Sequence, residues 1–415
     1  MTRHRSAWRV ASGLGLAAAL MLGCEPPQAL GGPPPYVMPT PTPTVQQPPA
    51  TLDVVPTSAA SEATPSPLTR PTVDDDWDAI TRRALLAGRL LIYSDTARTL
   101  TSVTNMLGAY PGLDAAGRVM GGAELCAMLA DADEAAMPDL VLASGTGCIQ
   151  RLARDGYLEA YVPALLRTSL EDDMVVPVLT HHWEVVGLHH NGLLDENEPL
   201  ASWWDLVTPA WEGRVALADP LVEDRALGLL EALVAHDDLL RASYGGQLGP
   251  DALGDGPAWS VWLDGLLANE VVLLPSDAEV ARWVGDPTSD GPRAGFCSSV
   301  HWERVLRGEL NLEFAVRAAP AAGVRWRTYV APIVGAPNPD GARLALAWLL
   351  GDDSGRGGYE PWYQAGLYPS RLDVPLPAGS VERSALVGRL WEVPPDLQEA
   401  QRNALLAAFM GDRAG

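Results

Sequence analysis

From Gly88 onward, short apolar runs of strand length alternate with stretches of helical spacing, and this order constrains the fold more than any other feature of the chain. Arg89–Tyr93 (RLLIY) and Asp139–Ala143 (DLVLA) are nearly unbroken apolar runs, each closed by small polar residues, Ser94-Asp95-Thr96 and Ser144-Gly145-Thr146. Unbroken runs this short suit strands buried on both faces of a sheet covered by helices. Between them one helix runs through Met106 and Leu107, and Gly121–Ala130 begins another, with Leu125 and Leu129 one turn apart. Strand–helix–strand order of this kind predicts an α/β architecture with a parallel sheet. Further strands are expected at Trp183–His190, Arg214–Ala218, Val271–Pro275, Ala294–Phe296 and Thr328–Val334, with helices over 227–234 and 259–267. No internal repeat is visible.

The N-terminal part reads differently. Arg3, Arg5 and Arg9 precede an apolar run, Val10–Leu22, that has signal-peptide length and is too short to span a bilayer comfortably. Met21-Leu22-Gly23-Cys24 approximates a bacterial lipobox, with Met at the first place where Leu is usual. Residues 1–24 are therefore expected to be a lipoprotein leader ending in a lipidated Cys24; an ordinary cleaved leader is the alternative. Residues 25–75 are rich in Pro, Thr, Ser and Ala, a composition that cannot bury a core, and are expected to be a disordered tether. The remaining 340 residues suffice for two packed lobes.

The segment Ser202–Pro220 (SWWDLVTPAWEGRVALADP) is the most distinctive wording in the chain. Ser202 can cap a short helix with Asp205 in its first turn, Pro209 ends that helix, and Gly213 turns the chain into the strand Arg214–Ala218. It resembles the W-x-D-L, P-x-W-x-G-[KR]-[IV]-A-x-A-[DN]-P pattern of the extracellular solute-binding proteins of bacterial ABC importers, in the branch of ferric-iron, thiamine and phosphonate-type binders. Three other pieces follow in the same order as in that family: PDLVLASG at 138–145, GAPNPDGA at 335–342, and GLYPSRLDV at 366–374. The resemblance implies a two-lobed, type II periplasmic-binding-protein fold, with residues 76–185 as the first part of lobe one, 186–315 as lobe two, and 316–415 returning to lobe one with C-terminal helices. It also implies hinge closure on one small solute and docking to a permease. A ligand-binding domain serving a sensor or surface partner is the alternative.

Candidate site residues sit where such folds place ligands, on loops after strands and at helix N-termini. Ser94, Asp95 and Thr96 end the first strand, and Ser144, Gly145 and Thr146 end the second; helix capping competes for each hydroxyl. His181-His182 and His189-His190 place four of the seven histidines within ten residues, a density that leaves a bound metal ion open. In an extended strand, however, His181 and His182 should point to opposite faces of a half-exposed segment. Ser298 and Ser299 follow a second-lobe strand at the place where the family's ferric binders carry adjacent tyrosines. The absence of that pair argues for a neutral or anionic ligand instead. We expect a ligand to touch Ser144 or Thr146 on one side and Ser298 or Ser299 on the other.

Composition excludes several classes. The chain carries 52 acidic against 29 basic residues, a formal charge of −23, and every side-chain cation is Arg. Such a surface disfavours nucleic acid and anionic membranes. With no lysine there is no phosphate-loop Gly-Lys, and there is no G-x-S-x-G, H-E-x-x-H or C-x-x-C. Cys297 and His301 lack an orienting third group, so no enzyme is expected, and no cofactor. Export permits disulfides; the sequence leaves a Cys126–Cys148 bridge and free thiols both open. The expected protein is thus a lipid-anchored, extracytoplasmic, monomeric solute binder of an ABC importer, with a small molecule or ion as ligand.

Overall fold

The computed structural model describes residues 76–411 except 132–136, 195–199, 250, 395–396 and 398. The expected leader, Cys24 and the whole of the expected tether lie outside the described residues. Among the described residues eleven strands form the sheet: β1 (Leu90–Ser94), β2 (Ala115–Val119), β3 (Leu140–Ser144), β4 (Thr180–His190), β5 (Val215–Ala218), β6 (Val272–Leu274), β7 (Ala294–Ser298), β8 (Glu313–Phe314), β9 (Gly323–Pro332), β10 (Leu367–Pro369) and β11 (Leu390–Glu392). The main path runs β2-β1-β3-β9-β4-β7-β5-β6, with β8 and β10 beside β4 and β11 beside β9.

Two parallel groups result, β1 with β2 and β3, and β5 with β6 and β7. Between them lie β4 and β9, antiparallel to each other, one bordering β3 and the other β7. These central strands have 11 and 10 residues, so each reaches roughly 35 Å at about 3.3 Å per residue, enough to serve both groups. Where β9 begins and its pairing with β4 ends, Gly187 faces Gly323, and a Cβ on Gly323 would strike the Val186 carbonyl. The two backbones press together there because neither residue has a side chain.

Each group carries its own apolar core. Trp203, Trp204, Trp211, Trp262 and Phe296 pack with β5 and β7. Trp348, Tyr359 and Trp362 pack with Leu140 and Leu142 of β3. The helices Arg98–Ala109, Thr146–Arg154, Asp224–Ala235, Ala258–Ala268 and Asp277–Val284 fall within a few residues of their sequence-based positions or follow strand ends directly.

The Ser202–Pro220 segment forms its cap as expected. The Ser202 hydroxyl accepts from Trp204 N at 3.2 Å, and Asp205 accepts from Ser202 N at 2.8 Å. The element itself is a 3₁₀ turn, Trp203–Val207, not an α-helix, and Pro209 opens a second turn, Pro209–Trp211, rather than merely closing the first. Proline has no N–H to forfeit at the first position of a turn. The Asn269 amide donates to the carbonyls of Leu206 at 2.9 Å and Thr208 at 2.8 Å, which fastens this tight path. Gly213 turns the chain at φ +67°.

Candidate functional site

The carboxyl ends of β1 and β3 meet beside the N-terminus of the helix Asp224–Ala235, with β4 and β9 as the floor. A cavity of about 230 Å³ opens there, lined by Thr96, Arg98, Ser144, His182, Glu184, Arg225 and Thr328, among others. The polar groups come from both parallel sheet groups and from the strands that join them.

On the β1 side, Ser94 is fully buried and its hydroxyl accepts from Thr99 Oγ1 at 2.9 Å and Thr96 N at 3.2 Å, so it acts as a local cap. Asp95 ties β1 to β3 by accepting Ser144 N at 2.6 Å. Its other oxygen is buried with no hydrogen-bond partner, and burial raises the carboxyl above its ordinary value against the opposing bond from Ser144. Thr96 reaches the cavity. So does Arg98, the first residue of the helix Arg98–Ala109. Arg98 Nη2 donates to Gln364 Oε1 at 2.8 Å, while Nη1 is buried without a partner. Burial lowers this guanidinium from its ordinary value, and Glu184 opposes the shift.

From β3, Ser144 shares a 3.0 Å hydroxyl contact with Thr328 of β9. Gly145, at φ +91°, borders a second cavity of about 510 Å³ on the far side of Ser144, beneath the Trp326 indole. Thr146 opens the helix Thr146–Arg154. That helix is joined to Gly122–Asp131 by a disulfide between Cys148 and Cys126, whose Cα atoms lie 6.1 Å apart.

The β4 histidines depart from the sequence expectation. A register shift between Thr180 and His182 bulges the strand, and both rings turn to meet, with Nδ1 atoms 2.7 Å apart. A bulge removes the strict alternation of side-chain direction. Both are buried rather than half-exposed, and His181 packs on Trp362 with ring centroids 4.7 Å apart.

Glu184, two residues on, accepts from Arg225 Nε at 2.7 Å and from the Ser298 hydroxyl. Burial opposes the charge of Arg225, yet Glu184, then Asp277 and Glu223, hold its guanidinium above its ordinary value. Ser298 and Ser299 are both fully buried. Beyond its bond to Glu184, the Ser298 hydroxyl accepts from Val300 N at 3.0 Å; Ser299 donates to Gly366 O at 2.5 Å and accepts from Val185 N at 2.9 Å. Their hydroxyls are thus occupied by protein, and neither residue borders the cavity, where Val300 stands instead.

The Cys297 thiol lies 3.5 Å from His189 Nδ1, not beside His301, which pairs with Asp277 at 2.7 Å. Burial pushes the thiol well above its ordinary value, so it is not a poised nucleophile. Among the described residues no three His, Cys, Asp or Glu side chains gather as a metal site.

Sequence reading missed Arg98, Glu184, Arg225 and Thr328. A signal existed for the two arginines. Each occupies one of the first two positions of a helix, where the macrodipole disfavours a cation. Glu184 was visible as a lone carboxylate inside an apolar strand.

No protein-family model matches the chain, and no curated protein is detectably similar in sequence. Solved structures do match in shape. Iron-bound HitA from Pseudomonas aeruginosa is 17% identical, with TM-score 0.58, covering 79% of this chain and 98% of that one. The substrate-binding protein of an ABC transporter from Agrobacterium tumefaciens is 14% identical, with TM-score 0.58 over 79% and 96%. AfuA from Actinobacillus pleuropneumoniae, with exogenous fructose-6-phosphate bound, is 15% identical, with TM-score 0.55 over 78% and 98%. The chain has the two-lobed, type II periplasmic-binding-protein fold.

Proposed function

We propose that this chain is the extracytoplasmic solute-binding protein of an ABC importer, and that it captures a small anion in the 230 Å³ cavity and delivers it to a permease. The observation that carries the reading is Arg98, a wall residue of that cavity whose Nη1 is buried without a partner, with Arg225, Thr96, Ser144 and Thr328 as further wall residues. A buried guanidinium donor without an acceptor is costly unless a ligand supplies one. Two guanidiniums also oppose a free cation, and no tyrosine lines the cavity, so ferric iron held by phenolates fits poorly. Support for the transport role comes from relatives of this fold, which include ABC substrate-binding proteins and one with a sugar phosphate bound. The same likeness supports a binding protein rather than an enzyme.

Closure would follow from wall residues that belong to different parts of the sheet, since a ligand bridging them gains contacts only when the lobes meet. We further propose that lobe one is built from residues 76–185 and 316–415 and lobe two from 186–315, that Cys24 is lipidated, and that residues 25–75 tether a monomer to the outer face of the membrane. The test is mass spectrometry of small molecules released by denaturing protein purified without added ligand. Calorimetry of the identified compound then follows on the parent and on Arg98→Met. An anion bound tightly by the parent and at least tenfold more weakly by the variant supports the reading. A cation or neutral solute insensitive to Arg98 overturns it.

A further inference from the structure

His182, on the wall of the proposed anion cavity, offers the wrong hydrogen-bonding partner for a simple anion. His181 Nε2 lies 2.9 Å from the Leu349 carbonyl. A carbonyl only accepts, so the proton of neutral His181 is on Nε2 and its Nδ1 is a bare acceptor. His182 Nδ1, 2.7 Å away, must therefore donate to His181. That leaves His182 Nε2 unprotonated. The His182 ring is 6% exposed and lines the cavity, and its Nε2 makes no hydrogen bond among the described residues.

We infer that His181 is a specificity-determining positioning residue: through the Leu349–His181–His182 relay it fixes His182 as a hydrogen-bond acceptor, so the site selects anions that carry their own donor. This rests on the anion reading above. Suitable ligands are monoprotonated oxyanions such as phosphate, or hydroxy acids. Sulfate and simple carboxylates satisfy the arginines but meet a lone pair at His182. Only protonation of His182 would relieve them. Burial, then His181, Arg98 and Arg225, holds this imidazole well below its ordinary value, and burial holds His181 down to about 4. A site with a buried polar group aimed at a donor rejects analogues lacking it strongly, because the group is left unpaired.

The experiment uses two matched pairs of probes, inorganic phosphate against sulfate and glycolate against acetate, titrated at neutral pH and constant ionic strength. Within at least one pair the donor-bearing anion is expected to bind about tenfold tighter, and the pair that binds identifies which source of the donor fits. In His181→Phe, which keeps an aromatic ring against Trp362 but frees His182 to move its proton to Nε2, the ratio should fall to within about threefold. His182→Asn, whose amide can donate, should narrow it likewise. Long-range nitrogen–proton NMR of histidine-labelled parent protein reads the tautomer without any variant: His182 should carry its proton on Nδ1. Equal binding within every pair that binds, or a proton on His182 Nε2, overturns the inference and leaves the anion site standing. Binding of none of the four overturns the anion site itself.

Discussion

Arg98 shows at the scale of one residue how the proposed site can work against the stability of its own fold. Its cation sits at the positive end of a helix, and one guanidinium nitrogen is buried without a partner. Relieving the dipole conflict alone is worth about 0.3–1 kcal/mol. Ligand-free Arg98→Met should therefore melt no lower than the parent, and slightly higher, while anion affinity falls at least tenfold, as expected for a hydrogen bond to a charged group worth about 1.5–3 kcal/mol. Differential scanning calorimetry with a binding titration checks both halves; a marked loss of ligand-free stability would mean Arg98 is a structural residue. Ser298 is the opposite case. Its buried hydroxyl serves Glu184 and Val300 N, so Ser298→Ala should lower the stability of the ligand-free protein by about 1–3 kcal/mol, measured as a lower urea midpoint. An unchanged midpoint would indicate that the hydroxyl is free for ligand after all.

Among the elements, β4 is the most consequential. It is buried along nearly its whole length, yet its sequence, THHWEVVGLHH, contains ionisable groups. Trp302 Nε1 donates to His189 Nε2 at 2.9 Å, and His189 Nδ1 donates to Gly187 O at 2.9 Å, so His189 too is locked neutral. Burial holds His181 and His189 each down to about 4 from an ordinary 6.5. The sign follows directly. Above pH 6.5 neither the folded nor the unfolded form binds these protons, so they do not affect stability there. Between 6.5 and 4 only the unfolded chain binds them, and stability falls with acidification by about 1.4 kcal/mol per pH unit for each. Chemical denaturation across this window should show that slope. In His189→Gln, which can still accept from Trp302 and donate to Gly187, the slope should shrink by about one proton; an unaltered slope would show that His189 is already protonated in the fold.

At the scale of the whole molecule, the long central strands let two parallel sheet groups share one cavity. Trp326 of β9 sits in the joint. A Cβ on Gly145 would lie 3.3 Å from its ring, and one on Gly228 would collide with it. Glycine on both sides makes room for an indole between the two groups. If an anion binds as proposed, it should alter the intrinsic tryptophan fluorescence by moving this contact, and Trp326→Phe should remove most of the change; a full signal in the variant would locate the reporting tryptophan elsewhere. The Pro/Thr-rich residues 25–74 cannot build a core by composition, so a chain beginning at Asp75 should melt within a few degrees of one beginning at Glu25.

The sequence by itself determined the order of strands and helices, because hydrophobic period, caps and turn residues act over a few neighbours. RLLIY, DLVLA and RVALA are strands, Ser202 and Asp205 form their reciprocal cap, and the tryptophans of that segment are core. It also pointed to the two strand-end loops from which Ser144 and Thr96 reach the cavity. Only the tertiary structure decided which polar groups remain available. Ser298 and Ser299 look available in sequence, but they meet Glu184 and Gly366 across long chain separations. The bulge at Thr180–His182 and the carbonyl of Leu349, the last residue of the distant helix Pro339–Leu349, set the direction and the proton of the paired imidazoles. Hydrogen-bond satisfaction is a property of the packed interior, where a partner is chosen by proximity in space, and local pattern carries no record of it.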